Sequence, residues 1–304
     1  MRSRNASLLQ KTTLTKGSRL QVPAPAKINL ALHVTGQRAD GYHLLDSLVT
    51  FTELGDRLSI DVSDDLDLTI SGSQSGNLSP DTGNLVLSAA NLLRDHVSRP
   101  ELGAAIHLEK VLPVASGIGG GSADAAATLI GLNEFWGLNL SQPALQGMSL
   151  PLGADIPMCI AGTSARVQGI GEHIEPVGLE SLALVLLNPG VAVSTPDTFQ
   201  ALQQKTNAPL GDPGSLAGAS PRDIAHYLSR QRNDLQAAAM EAAPAIGECL
   251  DVLERQHNCL FARMSGSGAT CFGLFDSLED AETAAEDIQR AFPQWWVAAT
   301  KTIG

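Results

Sequence analysis

Apolar and polar residues in the first third of the chain mostly alternate with the period of β-strands. This alternation predicts four strands, at 28–34, 47–52, 57–62 and 104–111. The apolar residues of 84–96 instead recur at helical spacing, which predicts a helix. A Gly-rich turn follows the fourth strand, and 122–136 is predicted to be a buried, Ala-rich helix.

The second half of the chain opens with an apolar run at 182–187 that predicts a buried strand. Helices are predicted near 220–230, 233–241, 244–257 and 277–291, and a last strand at 295–301. A hairpin is predicted over 261–275, with its turn at 265–268, and the Pro-, Gly- and Ser-rich segment 204–221 is predicted to be a loop. Strands and helices without strict βαβ alternation indicate an α+β protein, and 304 residues favour two domains.

Charge and composition narrow the class of protein. A net charge of −12 argues against a nucleic-acid binder, because phosphate backbones need a basic surface. The longest apolar run is far too short to span a bilayer. The four cysteines are scattered without metal-ligand spacing, which is typical of reduced thiols. We therefore expect a cytoplasmic, bacterial-type protein with no membrane, nucleic-acid or obligate protein partner.

The N-terminal segment 1–20 holds five basic residues, no acidic residue and many Ser and Thr. A transit peptide and an ordinary tail share this composition. We expect a disordered tail over 1–20, followed by domains at 21–172 and 173–304.

The most informative stretch is 112–126, where four of the five residues from Gly117 to Gly121 are glycine. Glycine allows positive φ and lets a ligand approach the backbone amides. The predicted helix that follows adds unpaired N–H groups and the positive end of its dipole. Together these features predict a seat for nucleotide phosphates, with Ser122 as helix N-cap and as a contact to phosphate or metal.

A Gly-rich turn that binds nothing is the alternative, and the small residues that open the next helix argue against it. Two other nucleotide motifs fail on spacing. A P-loop needs Lys after the last Gly, where Ser122 stands, and the dinucleotide fingerprint needs Gly at that same position.

Three motifs occur in the order found in one superfamily. The run from Pro113 to Ala126 resembles the phosphate-binding motif of the GHMP kinases (galactose, homoserine, mevalonate and phosphomevalonate kinases). The segments 25–30 and 264–271 resemble the N-terminal and third motifs of these kinases. The segment 35–43 is similar to the hallmark of the diphosphocytidyl-methylerythritol kinases within that superfamily, and 152–157, 188–190, 194–196 and 232–235 also fit. Ile118 and Ala123 depart from the usual Leu and Ser.

The resemblance implies an α+β, two-domain GHMP kinase fold. Its N-terminal domain would be ribosomal-protein-S5-like, its C-terminal domain an α/β sandwich, and its active site would lie in the interdomain cleft. The residues implied to bind ATP are Pro113, Val114, Ala115, Ser116, Gly117, Ile118, Gly119, Gly120, Gly121, Ser122 and Ala123. Gly266 and Gly268 would turn near the phosphates, and a tight hairpin turn accounts for them equally.

The implied reaction transfers the γ-phosphoryl group of ATP, with Mg²⁺, to the 2-hydroxyl of a methylerythritol that carries a cytidine diphosphate, in non-mevalonate isoprenoid synthesis. Asp155 would be the general base and Lys27 its electrostatic partner. From spacing alone, a turn residue or N-cap is the better interpretation of Asp155. The alternative for Lys27 is a strand-edge residue that faces water.

The residues implied to bind the second substrate are Asn29, Tyr42, His43, Thr195 and Phe199. Asn29 faces the same side of its strand as Lys27. Tyr42 and Phe199 would sandwich the cytosine and His43 would bond its edge, although Phe199 is equally a core residue. The metal ligands stay unassigned apart from Ser122. A different GHMP kinase and a catalytically dead relative that senses metabolites are the rival interpretations.

Overall fold

The fold is taken from a computed structural model that describes residues 19–76, 78–81 and 83–304. Residues 1–18 of the predicted tail therefore lie outside the described part of the chain. The strands are β1 (Leu20–Gln37), β2 (His43–Asp61), β3 (Leu66–Ser71), β4 (Ala104–Glu109), β5 (Ala165–Gly169), β6 (His173–Pro176), β7 (Ala183–Asn188), β8 (Cys259–Met264), β9 (Cys271–Phe275) and β10 (Trp296–Ile303).

Nine α-helices are found among the described residues. They are α1 (Leu85–His96), α2 (Gly120–Phe135), α3 (Gln142–Ser149), α4 (Ile156–Ala161), α5 (Thr195–Gln200), α6 (Pro221–Ser229), α7 (Gln236–Ala242), α8 (Ala245–Glu254) and α9 (Leu278–Ala291). Short 3-10 helices lie at Leu150–Leu152 and Pro213–Leu216, the second inside the predicted 204–221 loop. In the part of the chain described, no helix is long and apolar enough to cross a membrane.

The N-terminal half is built on one long antiparallel pair, β1 and β2, matched from Leu20–Ile60 to Gln37–His43. The sequence predicted three shorter strands here. The strands merge because irregular pairing at three places lets the ladder continue. Gly55 also resembles a break in sequence, yet a Cβ there would lie 2.3 Å from the carbonyl oxygen of Ala24, so glycine is what allows the strands to stay paired.

The C-terminal half is joined to the first by strand pairing. β10 pairs with β7 over Trp296–Lys301 and then with β2 at Thr302 and Ile303. The predicted hairpin is confirmed as β8 and β9, which pair antiparallel. The helices predicted at 84–96, 220–230, 233–241, 244–257 and 277–291 are confirmed as α1, α6, α7, α8 and α9. The elements β3, β5, β6, α3, α4 and α5 were not predicted.

Among the described residues, hydrophobic clusters place a core in each half, a third between the halves and a small fourth around Val49 and Phe51 of β2. The third cluster packs Ile28 and Leu30 of β1 against Leu184 of β7 and Phe272 of β9. The two halves are therefore held by apolar packing as well as by strand pairing. The predicted domain boundary at 172–173 falls in the turn between β5 and β6, which pair with each other, so we propose that the N-terminal unit extends through Pro176.

Candidate active site

A cavity of about 620 Å³ opens between the two halves of the protein. Its walls come from β1, β2, the loop between β4 and α2, the residues around Asp155, the start of α5 and the turn between β8 and β9. Many of the predicted site residues line it. They are Lys27, Asn29, Pro113, Val114, Ala115, Ser116, Gly117, Gly119, Gly120, Gly121, Ser122, Asp155, Thr195, Phe199 and Gly266.

The loop between β4 and α2, residues 110–119, is fixed by bonds from both halves and is called the phosphate loop below. Three of its carbonyl oxygens accept hydrogen bonds from β1 and from the β8–β9 turn: Ile118 from Lys27 N (2.9 Å), Gly117 from Ser265 Oγ (3.1 Å) and Ser116 from Thr270 N (3.0 Å). Ser265 Oγ also accepts from Asn29 N at 3.0 Å, which ties the third Gly-rich motif to β1. Main-chain atoms thus set the loop's conformation.

Glycine is required at two positions of the phosphate loop. Gly117 and Gly119 have φ of +76° and +66°, a region that residues with a Cβ rarely adopt. A Cβ at Gly117 would also lie 2.5 Å from the Ser265 carbonyl oxygen, so close packing adds to the backbone requirement. A Cβ at Gly119 would lie 3.2 Å from the Lys27 Cβ.

Helix α2 begins earlier than predicted. It starts at Gly120, and the left-handed Gly119 is its N-cap, so the prediction that Ser122 caps the helix was wrong. Gly119 can turn the chain into the helix because it lacks a Cβ. Ser122 lies in the first turn instead, and its hydroxyl has no hydrogen-bond partner among the described residues. The free first-turn N–H groups and the positive end of the α2 dipole therefore adjoin the cavity.

Lys27 and Asp155 form an ion pair at the cavity wall, with Lys27 Nζ 2.7 Å from Asp155 Oδ2. The Lys27 side chain is 6% exposed and that of Asp155 40%, so the carboxylate is the partner that a ligand can reach. Asp155 stands at the N-cap of α4, yet its side chain makes no capping bond. Capping therefore does not account for this carboxylate, and facing water does not account for Lys27.

Asn29 lines the cavity and carries an acceptor that has no donor. Its Nδ2 donates to Ser47 Oγ at 2.8 Å, and that hydroxyl donates to the Ala31 carbonyl, so neighbouring bonds fix the amide orientation. The Oδ1 of Asn29 is buried and has no partner. A buried acceptor without a donor costs free energy unless a ligand supplies one.

Aromatic side chains cluster near the β1–β2 turn, and one of them, Phe199, lines the cavity at what is called the aromatic end below. The rings of His43 and Phe199 stack on each other with centroids 4.9 Å apart, and Tyr42 beside them is 60% exposed. Phe199 also packs against the C-terminal core, so both interpretations of this residue hold. Burial, and next the charge of Lys205, lower the pKa of His43, which keeps the ring neutral at pH 7; its buried Nε2 has no partner.

Each half of the chain contains a segment that matches a family model. Residues 84–163 match the GHMP kinases N terminal domain, and residues 215–294 match GHMP kinases C terminal. A protein of Cereibacter sphaeroides named 4-diphosphocytidyl-2-C-methyl-D-erythritol kinase is 50% identical over 284 residues, which is 92% of this chain and 98% of that protein. One of the same name from Ruegeria pomeroyi is 51% identical over 283 residues, with the same coverage.

The chain belongs to the 4-diphosphocytidyl-2-C-methyl-D-erythritol kinase family. A crystal structure of 4-(cytidine 5'-diphospho)-2C-methyl-D-erythritol kinase superimposes with a TM-score of 0.76 at 30% identity, covering 94% of this chain and all of the other. A homoserine kinase from Cytophaga hutchinsonii, at 18% identity and a TM-score of 0.71 over 96% of both chains, shows the shared fold alone. The predicted α+β GHMP kinase fold is confirmed.

Some of the site residues that the resemblance to GHMP kinases predicted do not line the cavity. Ile118 and Ala123 are buried in hydrophobic cores. A Cβ at Gly268 would meet the Met264 sulfur at 2.8 Å, so this glycine faces the C-terminal core. Tyr42 and His43 also lie outside the lining residues.

Sequence reasoning missed a buried charge cluster behind the phosphate loop. Lys110 Nζ lies 2.5 Å from Asp56 Oδ2 and 2.6 Å from Asp124 Oδ2, and Lys110 and Asp124 line the cavity. Burial raises the pKa of Asp124 to about 7, against the opposing charge of Lys110. Burial would lower the pKa of Lys110, but the two carboxylates outweigh burial and raise it. The available signal was a lone Lys ending an apolar strand and a lone Asp in an Ala-rich helix.

Proposed function

We propose that this protein transfers the γ-phosphoryl group of ATP to the 2-hydroxyl of 4-diphosphocytidyl-2-C-methyl-D-erythritol, the compound that the name of its relatives contains. The observation that carries the proposal is the Lys27–Asp155 ion pair, at 2.7 Å, in the same cavity as the phosphate loop. A nucleotide seat and a reachable carboxylate are the two parts that an alcohol kinase needs side by side.

Asp155 is the general base in this proposal. Its Oδ atoms are the exposed side of the ion pair and accept the proton of the 2-hydroxyl as that oxygen attacks the γ-phosphoryl group. Lys27 orients the carboxylate through Nζ and offsets the negative charge that spreads over the transferred group. Because Lys27 is almost fully buried, its charge acts at low effective dielectric and is worth more than in water.

ATP binds with its phosphates at the start of α2, where the first-turn N–H groups meet the cavity. Mg²⁺ fits this arrangement if the phosphates supply most of its ligands, since in the described chain no group of three His, Cys, Asp or Glu side chains could hold a metal. Ser122 is the hydroxyl that would reach it. When bound, the ion would neutralise charge on the phosphates.

The cytosine of the second substrate binds at the aromatic end of the cavity. His43 carries a buried Nε2 without a partner, which suits the polar edge of a base. Phe199 and Tyr42 offer ring faces, and the rest of the substrate reaches toward Asn29, whose free Oδ1 accepts from a hydroxyl. Thr195 Oγ1, which lies 2.7 Å from Ser267 Oγ at the cavity wall, is a further polar contact for this substrate.

A coupled ADP-release assay with a panel of alcohols tests this function. The purified protein should release ADP with the cytidyl substrate and at least about a hundredfold more slowly with homoserine, mevalonate or galactose. Comparable turnover of homoserine or mevalonate would assign a different GHMP kinase activity. ATP binding without ADP release on any of these substrates would favour the metabolite-sensing alternative.

A further inference from the structure

The buried charges Asp56, Lys110 and Asp124 lie on three separate elements and meet at one ammonium group. Asp56 is on β2, Lys110 directly follows β4, and Asp124 is in the first turns of α2. All three are almost fully buried. None of them touches the Lys27–Asp155 pair through a hydrogen bond or ion pair, so the proposed chemistry leaves the cluster unexplained.

The bonds of the cluster hold both ends of the phosphate loop. At the entrance, Asp56 Oδ1 accepts from Val111 N at 2.6 Å and from Leu112 N at 2.9 Å. At the exit, Lys110 Nζ reaches Asp124 on α2 and lies 3.1 Å from where a Cβ of Gly120 would stand. One ammonium group therefore fixes the distance between the end of β4 and the N-terminus of α2.

Stability alone is a poor reason for such a cluster. Two carboxylates share one ammonium out of contact with water, and replacing buried ion pairs by apolar groups is often neutral or stabilising. The arrangement also leaves Asp124 Oδ1 buried and without a partner at a residue that lines the cavity. These features are tolerated where geometry matters more than the free energy of unfolding.

We propose that Asp56, Lys110 and Asp124 form a positioning cluster, which sets the width of the phosphate loop and thereby the affinity for ATP. The inference rests on the proposed function only in that ATP is the ligand of this loop. None of the three is assigned a part in the chemical step. The cluster acts on nucleotide binding through the backbone that it holds, in the manner of supporting residues that lock a binding site.

Asp124→Ala is the decisive variant, because it frees α2 while leaving Lys110 and Asp56 as a balanced pair. Calorimetry with a non-hydrolysable ATP analogue should give a Kd at least about tenfold higher, or about 1.4 kcal/mol. The KM for ATP should rise by a similar factor, with kcat changed less. Asp124→Asn keeps an acceptor for Lys110 and should recover most of the affinity, to about threefold of the native value.

Asp46→Asn is the matched control, since Asp46 is an equally buried carboxylate, paired with Arg166 at 2.6 Å, that makes no bond to the loop. It should lower Tm without changing nucleotide affinity. Unchanged or tighter nucleotide binding by folded Asp124→Ala would overturn the inference. If that variant does not fold, Lys110→Gln, which removes the ammonium that both carboxylates share, takes its place. Native affinity and native amide exchange over 111–121 in folded Lys110→Gln would then overturn the inference. A wild-type protein that fails to bind the analogue would instead refute the proposed function.

Discussion

The two ends of the cavity are built in different ways. At the phosphate end, main-chain bonds from β1 and from the β8–β9 turn hold the loop, and a buried charge cluster stands behind it. At the aromatic end, side chains supply the surface, Tyr42 is largely exposed, and the rings of His43 and Phe199 rest on each other. No third ring fits between two stacked rings, so a cytosine would lie on an outer face or separate them.

The proposed function accounts for this difference by the ligand that each end would recognise. Triphosphate is common to all kinases of this superfamily, and oriented N–H groups bind it well without side-chain specificity. A base is distinguished from other ligands by the edge and the face of its ring, and recognising these features requires side chains. Changes at the phosphate end should therefore affect ATP or the chemical step, and changes at the aromatic end should affect the second substrate.

The largest effect is expected from the loss of the proposed general base. Asp155→Asn keeps the shape and an acceptor for Lys27 but removes the proton acceptor, so kcat should fall by at least about a hundredfold. Affinity for ATP should stay within about twofold, measured by calorimetry. Glu175→Gln, an exposed carboxylate change on β6, is the control and should be silent. A near-normal kcat in Asp155→Asn would make this residue structural.

The second-largest effect is expected in Gly119→Val, which should lose nucleotide affinity. A β-branched residue cannot readily hold φ of +66°, and its side chain would press on Lys27. Binding of the ATP analogue should weaken at least about tenfold. Gly147→Ala, in α3 with open space around the added methyl group, should bind normally. Native affinity in a folded Gly119→Val protein would show that the loop does not seat the phosphates.

A smaller and selective effect is expected at the aromatic end. Stacking on an aromatic ring is worth roughly 1–3 kcal/mol per base in single-strand binders. His43→Ala and Phe199→Ala should each raise the KM for the cytidyl substrate about tenfold, with the KM for ATP unchanged. Phe199→Leu separates packing from stacking, because it keeps an apolar side chain in the core contact. An ATP-specific defect in these variants would place the base elsewhere.

The smallest effect is a pH dependence carried by His43. Because burial lowers the pKa of this ring below its usual 6.5, the neutral form persists into mildly acidic solution. The KM for the cytidyl substrate should be flat from neutral pH upward and should rise as pH falls below 6.5, when the ring gains a proton. His43→Ala should remove this rise, whereas the exposed His173→Ala should leave it. A rise that persists in His43→Ala would assign it to another group.

The sequence predicted the elements and motifs that depend on neighbouring residues. The Gly-rich segment before α2, the β8–β9 turn and most helices carry their signal locally, in spacing and turn residues. The continuous β1–β2 ladder was missed because Gly55 resembles a break until the approach of Ala24 is known. The cluster of Asp56, Lys110 and Asp124 was missed because tertiary packing brings its members together from distant positions.

The central claim is that one end of the cavity performs the phosphoryl transfer while the other selects a cytidine-bearing substrate. The most direct measurement compares kcat/KM of the wild-type enzyme for 4-diphosphocytidyl-2-C-methyl-D-erythritol and for 2-C-methyl-D-erythritol 4-phosphate, which lacks the cytidine. The account predicts that the truncated substrate is at least about a hundredfold poorer and that Phe199→Ala lowers only the value for the full substrate. Equal kcat/KM for the two substrates in the wild-type enzyme would contradict it.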